Sequence, residues 1–248
     1  MISTAIICKN EEKNIRNCIE STKWTDEIIV VDGLSTDKTK EIAEGLGAKV
    51  FLNEFRSFKE QREFALSKCS GDWILVLDAD EICSTGLKNE IQDVLTTVIP
   101  EICGFRIPRK NYFLGKWIRH CGWYPSYQMR FFRKDAVKVK NRLVHEGYEI
   151  DGKTYTLICA ILHNTVQSIS EYTERINHYS TLQAIEKREK GAGFWKILLK
   201  PSFSCIHKYI FQGGFLDGVE GLMVTYFHIM TNMLTLMKIR EMNKKKKG

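Results

Sequence analysis

The chain has 248 residues, a hydrophobic fraction of 44% and a formal net charge of +7, which suits one large globular domain, with or without an appendage, and supports a sizeable core. Its eight cysteines are scattered, with no CxxC pair and no ligand-like spacing, which excludes a zinc site or a disulfide framework and fits a reducing cytoplasm. The positive balance points to nucleic acid, an anionic membrane surface or a phosphate-rich substrate. Its position chooses among them: Lys244 to Lys247 follow a long apolar stretch, a pattern that suits an anionic membrane surface before nucleic acid, or else a solvated tail.

In chain order, Thr4 to Cys8 is a short apolar run and predicts a buried strand, with no basic and apolar leader before it, so no signal peptide is expected. Asn10 is expected to cap a helix carrying Ile15, Cys18 and Ile19 on one face. Glu27 to Val31 is a second, β-branched run ending at Asp32. A turn over Gly33 to Thr36 leads to a helix through Ile42 and Leu46, closed by Gly47. Val50 to Leu52 predicts a third strand, and Phe58 to Ser67 a helix with Phe58, Gln61, Arg62 and Ala65 at helical spacing. Trp73 to Leu77 is a fourth strand, apolar throughout, ending at Asp78. Strands alternating with helices imply βαβ units and a mainly parallel sheet, and continuous apolar strands imply that both faces are covered.

From about Cys103 to His163 the texture changes. Gly104 to Pro108, Gln128 to Phe132 and Thr156 to Leu162 read as strands without an intervening helix, a smaller mixed or antiparallel region. A long polar helix is expected from about Ser170 to Lys190, ended by Gly191 and Gly193. The segment from about Phe194 to Arg240 is the most apolar, and Gly221 to Met237 holds no formal charge. It is slightly short of the roughly 20 residues of a membrane span. Thr225, His228, Asn232 and Thr235 form one polar stripe, which suits an interfacial or core-packed helix. The expected organisation is a donor half over 1–100, a second half of the same domain over 101–167, and a helical, membrane-associating extension with a basic tail over 168–248.

Ligands of an open α/β sheet bind beyond the carboxyl ends of the strands. Three acidic elements lie at such ends: Asn10-Glu11-Glu12, Asp32 and Asp78-Ala79-Asp80-Glu81. One Asp at a strand end is usually a turn former, whereas three such elements converge on one crevice. Hard divalent cations take carboxylate oxygens, and Mg²⁺ is typically held by one or two carboxylates plus substrate phosphates. The i, i+2 spacing of Asp78 and Asp80 in extended chain points them to one side, so that one faces a nucleotide and the other a metal.

On these residues the chain resembles glycosyltransferase family 2, inverting enzymes of the GT-A fold. The resemblance rests on Ile6-Ile7-Cys8-Lys9-Asn10-Glu11-Glu12, Ile29-Val30-Val31-Asp32-Gly33-Leu34-Ser35-Thr36-Asp37, Gln61-Arg62-Glu63-Phe64-Ala65-Leu66 and Gly71-Asp72-Trp73-Ile74-Leu75-Val76-Leu77-Asp78-Ala79-Asp80-Glu81. The second half is similar to the lipopolysaccharide-core glucosyltransferase branch in Gly115-Lys116-Trp117-Ile118, Gly122-Trp123-Tyr124-Pro125, Val144-His145-Glu146 and Gly213-Gly214-Phe215-Leu216-Asp217-Gly218. Glu63 departs from the family, which commonly has Asn after the Arg.

The resemblance implies a GT-A-type, Rossmann-like sheet flanked by helices. It implies transfer of a sugar from a nucleotide-diphosphate donor, a UDP-sugar, to a glycan or lipid-linked acceptor of the cell envelope. Asp32 would bond the base, Asn10 and Glu12 line the nucleotide pocket, Arg62 face the phosphates or base, and Asp78 contact the ribose. Asp80 would hold Mg²⁺ or Mn²⁺, and His163 either completes that metal shell or serves structurally. Glu146 is the implied carboxylate base, with a surface ion pair as the alternative. Trp123 and Tyr124 offer flat faces for acceptor sugars or belong to the core. Arg106, Arg109, Arg119, Arg130 and Arg133 are candidate clamps for diphosphate or an anionic acceptor, or ordinary surface charges, with Arg130 assigned to the acceptor. The expected setting is cytoplasmic and peripheral, on the inner face of the cell membrane, without nucleic acid.

Other α/β enzymes fit less well. A sugar nucleotidyltransferase needs a glycine-rich basic loop after the first strand, where this chain has Lys9-Asn10-Glu11-Glu12. A haloacid-type phosphatase needs its Asp pair after the first strand, and a dinucleotide dehydrogenase needs GxGxxG there. The reading from another class is an inactive glycan-binding or membrane-assembly subunit.

Overall fold

The computed structural model describes residues 1–97, 99–140 and 147–245. These fall into two units, one of residues 1–109, 126–140 and 147–163, the other of residues 110–125 and 164–245. The expected boundaries near 100 and 167 thus differ from the observed ones, because strands from the middle of the chain divide between the units.

The first unit opens with β1 (Ile2–Cys8), α1 (Ile15–Thr22), β2 (Glu27–Asp32), α2 (Thr39–Gly45), β3 (Lys49–Leu52), α3 (Phe58–Lys68) and β4 (Trp73–Asp78). Two elements that lack a strong pattern in the sequence follow, the three-residue β5 (Glu81–Cys83) and α4 (Thr85–Thr97). Then come β6 (Ile102–Phe113), whose end runs into the second unit, β7 (Lys116–Trp117), which belongs to the second unit, β8 (Ser126–Arg133), β9 (Val137–Val139), β10 (Tyr148–Ile150), β11 (Lys153–Thr156) and β12 (Ile161–Val166), whose end again passes into the second unit. The expected single strand over Thr156 to Leu162 is instead the end of β11, a connection, and the start of β12.

The sheet order is β3-β2-β1-β4-β8-β6-β12-β5, with β11 beside β6. The β3, β2, β1 and β4 ladders are parallel, whereas β8 runs antiparallel to both β4 and β6. The sheet is therefore mixed, parallel where strands alternate with helices and antiparallel where they do not. Alternate residues of each apolar strand feed opposite faces. Ile6, Val30, Leu75 and Leu77 pack with Ile15, Cys18 and Ile19 of α1 and with Leu87 and Ile91 of α4. Ala5, Ile7, Ile29, Val31, Ile74 and Val76 pack with Ala65 and Leu66 of α3. Coverage of both faces explains why these strands show no polar alternation.

Asn10 does not cap α1. It stands in left-handed backbone with φ 56°, and Asn14 occupies the cap position. Cys8, Cys18, Cys69, Cys83 and Cys121 are buried, and burial pushes the Cys69 and Cys83 thiols up to about 12. They behave as small hydrophobes.

The second unit holds α5 (Ile169–Glu186), α6 (Phe194–Ile206) and α7 (Gly218–Lys245). Ser168 caps α5 by accepting from the Glu171 N–H. A π-helical turn over His207–Phe211 and a 3₁₀ turn over Gly214–Asp217 separate α6 from α7. Phe113, Ile118, Val166, Ile176, Val224 and Phe227 form the core of this unit. The polar stripe of α7 turns inward: Thr225 and Thr235 are buried, and their hydroxyls donate to the carbonyls of Gly221 and Thr231. That helix is packed against α5 and α6, the core-packed of the two expected forms.

Candidate active site

Strand register assembles the first layer of the site. Cys8 of β1 is opposite Asp32 of β2, and Ile7 is opposite Asp78 of β4, so the acidic residues stand at carboxyl ends on either side of β1. With strands about 4.8 Å apart, Asp32 and Asp78 lie about two strand spacings from one another.

Asp32 is fully buried. Its Oδ1 accepts from the Ser35 N–H at 2.7 Å, which forms the turn after β2, while Oδ2 has no hydrogen-bond partner among the described residues. A buried carboxylate oxygen without a donor is costly, and a ligand N–H or O–H removes that cost. The loops after β1 and β2 are laced together around it. Asn10 Oδ1 accepts from the Thr36 N–H at 2.8 Å, the Asn10 N–H donates to Ser35 Oγ, and Glu12 Oε2 accepts from the Lys38 N–H. Leu34, a non-glycine residue at φ 62°, joins Asn10 in left-handed backbone. Such conformations persist only where surrounding bonds hold them.

Asp78, itself partly exposed, belongs to a charge cluster around the buried Glu81 and Arg130. Arg130 Nη2 donates to Asp78 Oδ2 at 2.5 Å and to Glu81 Oε1 at 2.9 Å. Arg109 Nη1 donates to the same Glu81 oxygen at 3.1 Å, and Glu81 Oε2 accepts from the Asp78 N–H. Arg62 Nη2 lies 3.7 Å from Asp78 Oδ1, with its guanidinium near the rings of Phe58 and Tyr148. Burial pushes the Asp78 carboxyl up, but the charges of Arg130 and then Arg62 outweigh it and hold the group well below the usual carboxylate range. Arg62, Arg109 and Arg130 thus converge on Asp78 and the buried Glu81.

Asp80 takes a different partner from Asp78. Its Oδ2 lies 3.2 Å from His163 Nε2. The reason is local: β4 ends at Asp78, a turn carries Ala79 and Asp80, and β5 begins at Glu81 and pairs with β12, where His163 is opposite Glu81. No cluster of three or more His, Cys, Asp or Glu suited to a metal occurs among the described residues.

The structure thus brings together Arg62, Asp78 and Arg130, and separately Asp80 and His163. Arg130 stands with the donor-side acids, buried, rather than on a surface open to an acceptor. Trp123 and Tyr124 belong to the second unit, Trp123 packed edge-on against Phe113 and Tyr124 against Trp117. Glu146 lies outside the described residues. Sequence reasoning placed Glu81 in the acidic run after the fourth strand and Arg109 among the arginines able to clamp a diphosphate, but gave neither of them a partner.

The family model of glycosyl transferase family 2 matches residues 3–147. The chain belongs to glycosyltransferase family 2 and is a glycosyltransferase. An uncharacterised glycosyltransferase of Rickettsia typhi is 31% identical over 100% of this chain and 89% of its own. The lipopolysaccharide core biosynthesis glycosyltransferase LpsC of Rhizobium meliloti is 28% identical, covering 96% of this chain and 91% of that protein. Among solved structures, glucosyl-3-phosphoglycerate synthase of Mycobacterium tuberculosis, crystallised with Mn²⁺, UDP and glucosyl-3-phosphoglycerate, is similar at 20% identity and a TM-score of 0.47. That alignment covers 70% of this chain and 75% of that one.

Proposed function

We propose that this glycosyltransferase moves a sugar, with inversion, from a UDP-sugar to a glycan or lipid-linked acceptor in lipopolysaccharide or related cell-envelope synthesis, as a peripheral protein on the inner face of the membrane. The observation that carries the donor half is the Arg62–Asp78–Arg130–Glu81–Arg109 cluster, set at the carboxyl end of the parallel strands beside the unpartnered Oδ2 of Asp32. Guanidiniums there suit a diphosphate, since Arg forks match phosphate oxygens. Asp32 suits a donor N–H of the nucleotide base. The lipopolysaccharide assignment draws on the likeness to LpsC along nearly the whole chain.

The donor set also suits a divalent cation. Asp80 offers carboxylate oxygens and His163 an imidazole nitrogen 3.2 Å away, and Mg²⁺ or Mn²⁺ held by few protein ligands completes its shell with water and phosphate. When bound, the metal would neutralise charge on the departing diphosphate. Arg62, Arg109 and Arg130 hold the acidic strand ends in place, and Asn10 and Glu12 brace the nucleotide loop. The acceptor hydroxyl oxygen attacks the anomeric carbon opposite the leaving group. The new carbon–oxygen bond forms as the bond to the diphosphate breaks, and the hydroxyl proton passes to a carboxylate, for which Glu146 is the candidate.

The test is Mn²⁺-dependent hydrolysis of UDP-sugars by the full chain. Asp80→Ala is expected to lower turnover at least hundredfold, on the scale of losing one strong electrostatic contribution, with the thermal midpoint kept. Unchanged turnover would sink the metal assignment. Asp32→Asn is expected to raise the KM for the donor more than it lowers kcat. An inactive glycan-binding subunit would show sugar binding without any turnover.

A further inference from the structure

Helix α6 is inverted relative to an ordinary surface helix. Only Pro201 of its 13 residues is buried, and Ile197, Ser204 and Cys205 on the same side are half-buried. The outward face, centred opposite Pro201, carries Trp195, Leu198, Leu199, Phe203 and Ile206, which are 48–67% exposed, and Ile210 and Phe211 prolong it. Half of the exposed large apolar side chains among the described residues lie between Phe194 and Tyr226. Scattered exposed apolar residues are ordinary, but a continuous face of this kind marks an interaction surface.

Charge selects the occupant. Residues 191–216 contain Lys196, Lys200 and Lys208 and no Asp or Glu. Lys196 and Lys200 are exposed and run along one flank of the apolar face. They also line a cavity of about 190 Å³ whose wall includes Lys187, Gln183 and Asn232. A second copy docked on this face would bring three more lysines and no acidic residue from 191–216 to neutralise them. Length excludes a span: 13 residues of helix reach about 20 Å, against a hydrocarbon core of about 30 Å. No helix among the described residues is long and apolar enough to cross a membrane.

We infer that the outward face of α6 and the following π-helical turn are a membrane-docking surface. It lies in the plane of a bilayer rich in anionic phospholipid, with Trp195, Leu199 and Phe203 in the acyl boundary and Lys196 and Lys200 on lipid phosphates. Interfacial helices bind through this combination of buried apolar area and attraction to anionic lipid. The inference rests on the membrane part of the proposed function and names its surface. In the stretch Gly221–Met237 the polar stripe packs inward, and Leu222, Met223 and Tyr226 are exposed.

The experiment is flotation of the full chain with vesicles of phosphatidylcholine, with and without phosphatidylglycerol. The wild type is expected to float with the anionic vesicles, and Trp195→Ser/Phe203→Ser and Lys196→Glu/Lys200→Glu each to weaken partitioning at least tenfold. Ile158→Ser, at a residue 85% exposed in the other unit, is expected to change nothing. Matching circular dichroism and thermal midpoints keep folding out of the comparison. Partitioning unchanged by the α6 variants, or abolished only by removing Lys244 to Lys247, overturns the inference. So does light scattering that shows self-association through this face without vesicle binding. UDP-sugar hydrolysis in the same preparations separates the two ideas: flotation without turnover sinks the donor reading alone, and turnover without flotation sinks this one.

Discussion

Arg130 holds both acids at the end of β4, and the consequence is measurable. Arg130→Met leaves Asp78 without its closest cation and is expected to cost about 3–5 kcal/mol, the usual result of breaking a buried ion pair from one side. A lower urea midpoint at unchanged slope is the readout. Arg130→Lys should recover only part, because a point charge cannot fork between Asp78 and Glu81. An unchanged midpoint in the Met variant would show that the cluster contributes nothing to folding. Glu27 makes a second residue-scale prediction. Burial raises its pKa, but bonds from Ser3 and from the Ser70 N–H and hydroxyl bring it down to about 2, below its ordinary 4.5. The unfolded chain therefore takes up this proton first. The stabilisation is complete above about pH 5 and is lost as pH falls from 4.5 towards 2. It amounts to about 3 kcal/mol at most. Urea unfolding from pH 7 to pH 2 checks this, with Glu27→Gln expected to give a flatter stability profile. None of these pairings is visible as spacing. Asp78 and Arg130 are 52 positions apart, and Ser70 reaches Glu27 across 43.

At the scale of elements, two close approaches set how pieces join. A Cβ on Gly71 would stand 2.6 Å from Ser3 Oγ and 2.9 Å from the Met1 carbonyl oxygen, where the segment before β4 passes the start of β1. A Cβ on Gly221 would stand 1.9 Å from the Gly214 carbonyl oxygen, where α7 crosses the 3₁₀ turn before it. Backbone cannot yield as a side chain does, so Gly221→Ala is expected to cost about 3 kcal/mol or more, and Gly71→Ala about 1–3 kcal/mol. Thermal unfolding ranks them, and a Gly221→Ala midpoint equal to the wild type would contradict the contact. The long apolar strands and the first three helices were legible because local periodicity and their bounding residues agree. β5 and α4 were not. A three-residue strand carries no period, and α4 buries only Leu87 and Ile91. Asn10 read as a cap from its type, whereas bonds to Ser35 and Thr36, 25 and 26 positions away, fix its backbone.

At the scale of the molecule, the donor reading predicts stabilisation by ligand. UDP with Mn²⁺ at a hundred times its Kd should add about 2.7 kcal/mol, because only the folded chain has the site. For a chain of this size that is a rise in Tm of roughly 5–10 °C, absent in Asp32→Asn and Asp80→Ala at the same ligand concentration. A rise as large in those variants would place binding elsewhere. The sequence by itself determined the class of the first half: apolar strands alternating with helices, three of the four followed by an acidic element, specify a doubly covered sheet with acids at one end, because both patterns are local. Only the tertiary structure decided which carboxylate meets which cation, that Arg130 joins the donor-side acids, and that α6 buries only Pro201 while α7 turns its polar stripe inward. Those outcomes depend on partners distant in sequence, and a helix shows which residues share a face but not which face the rest of the molecule covers.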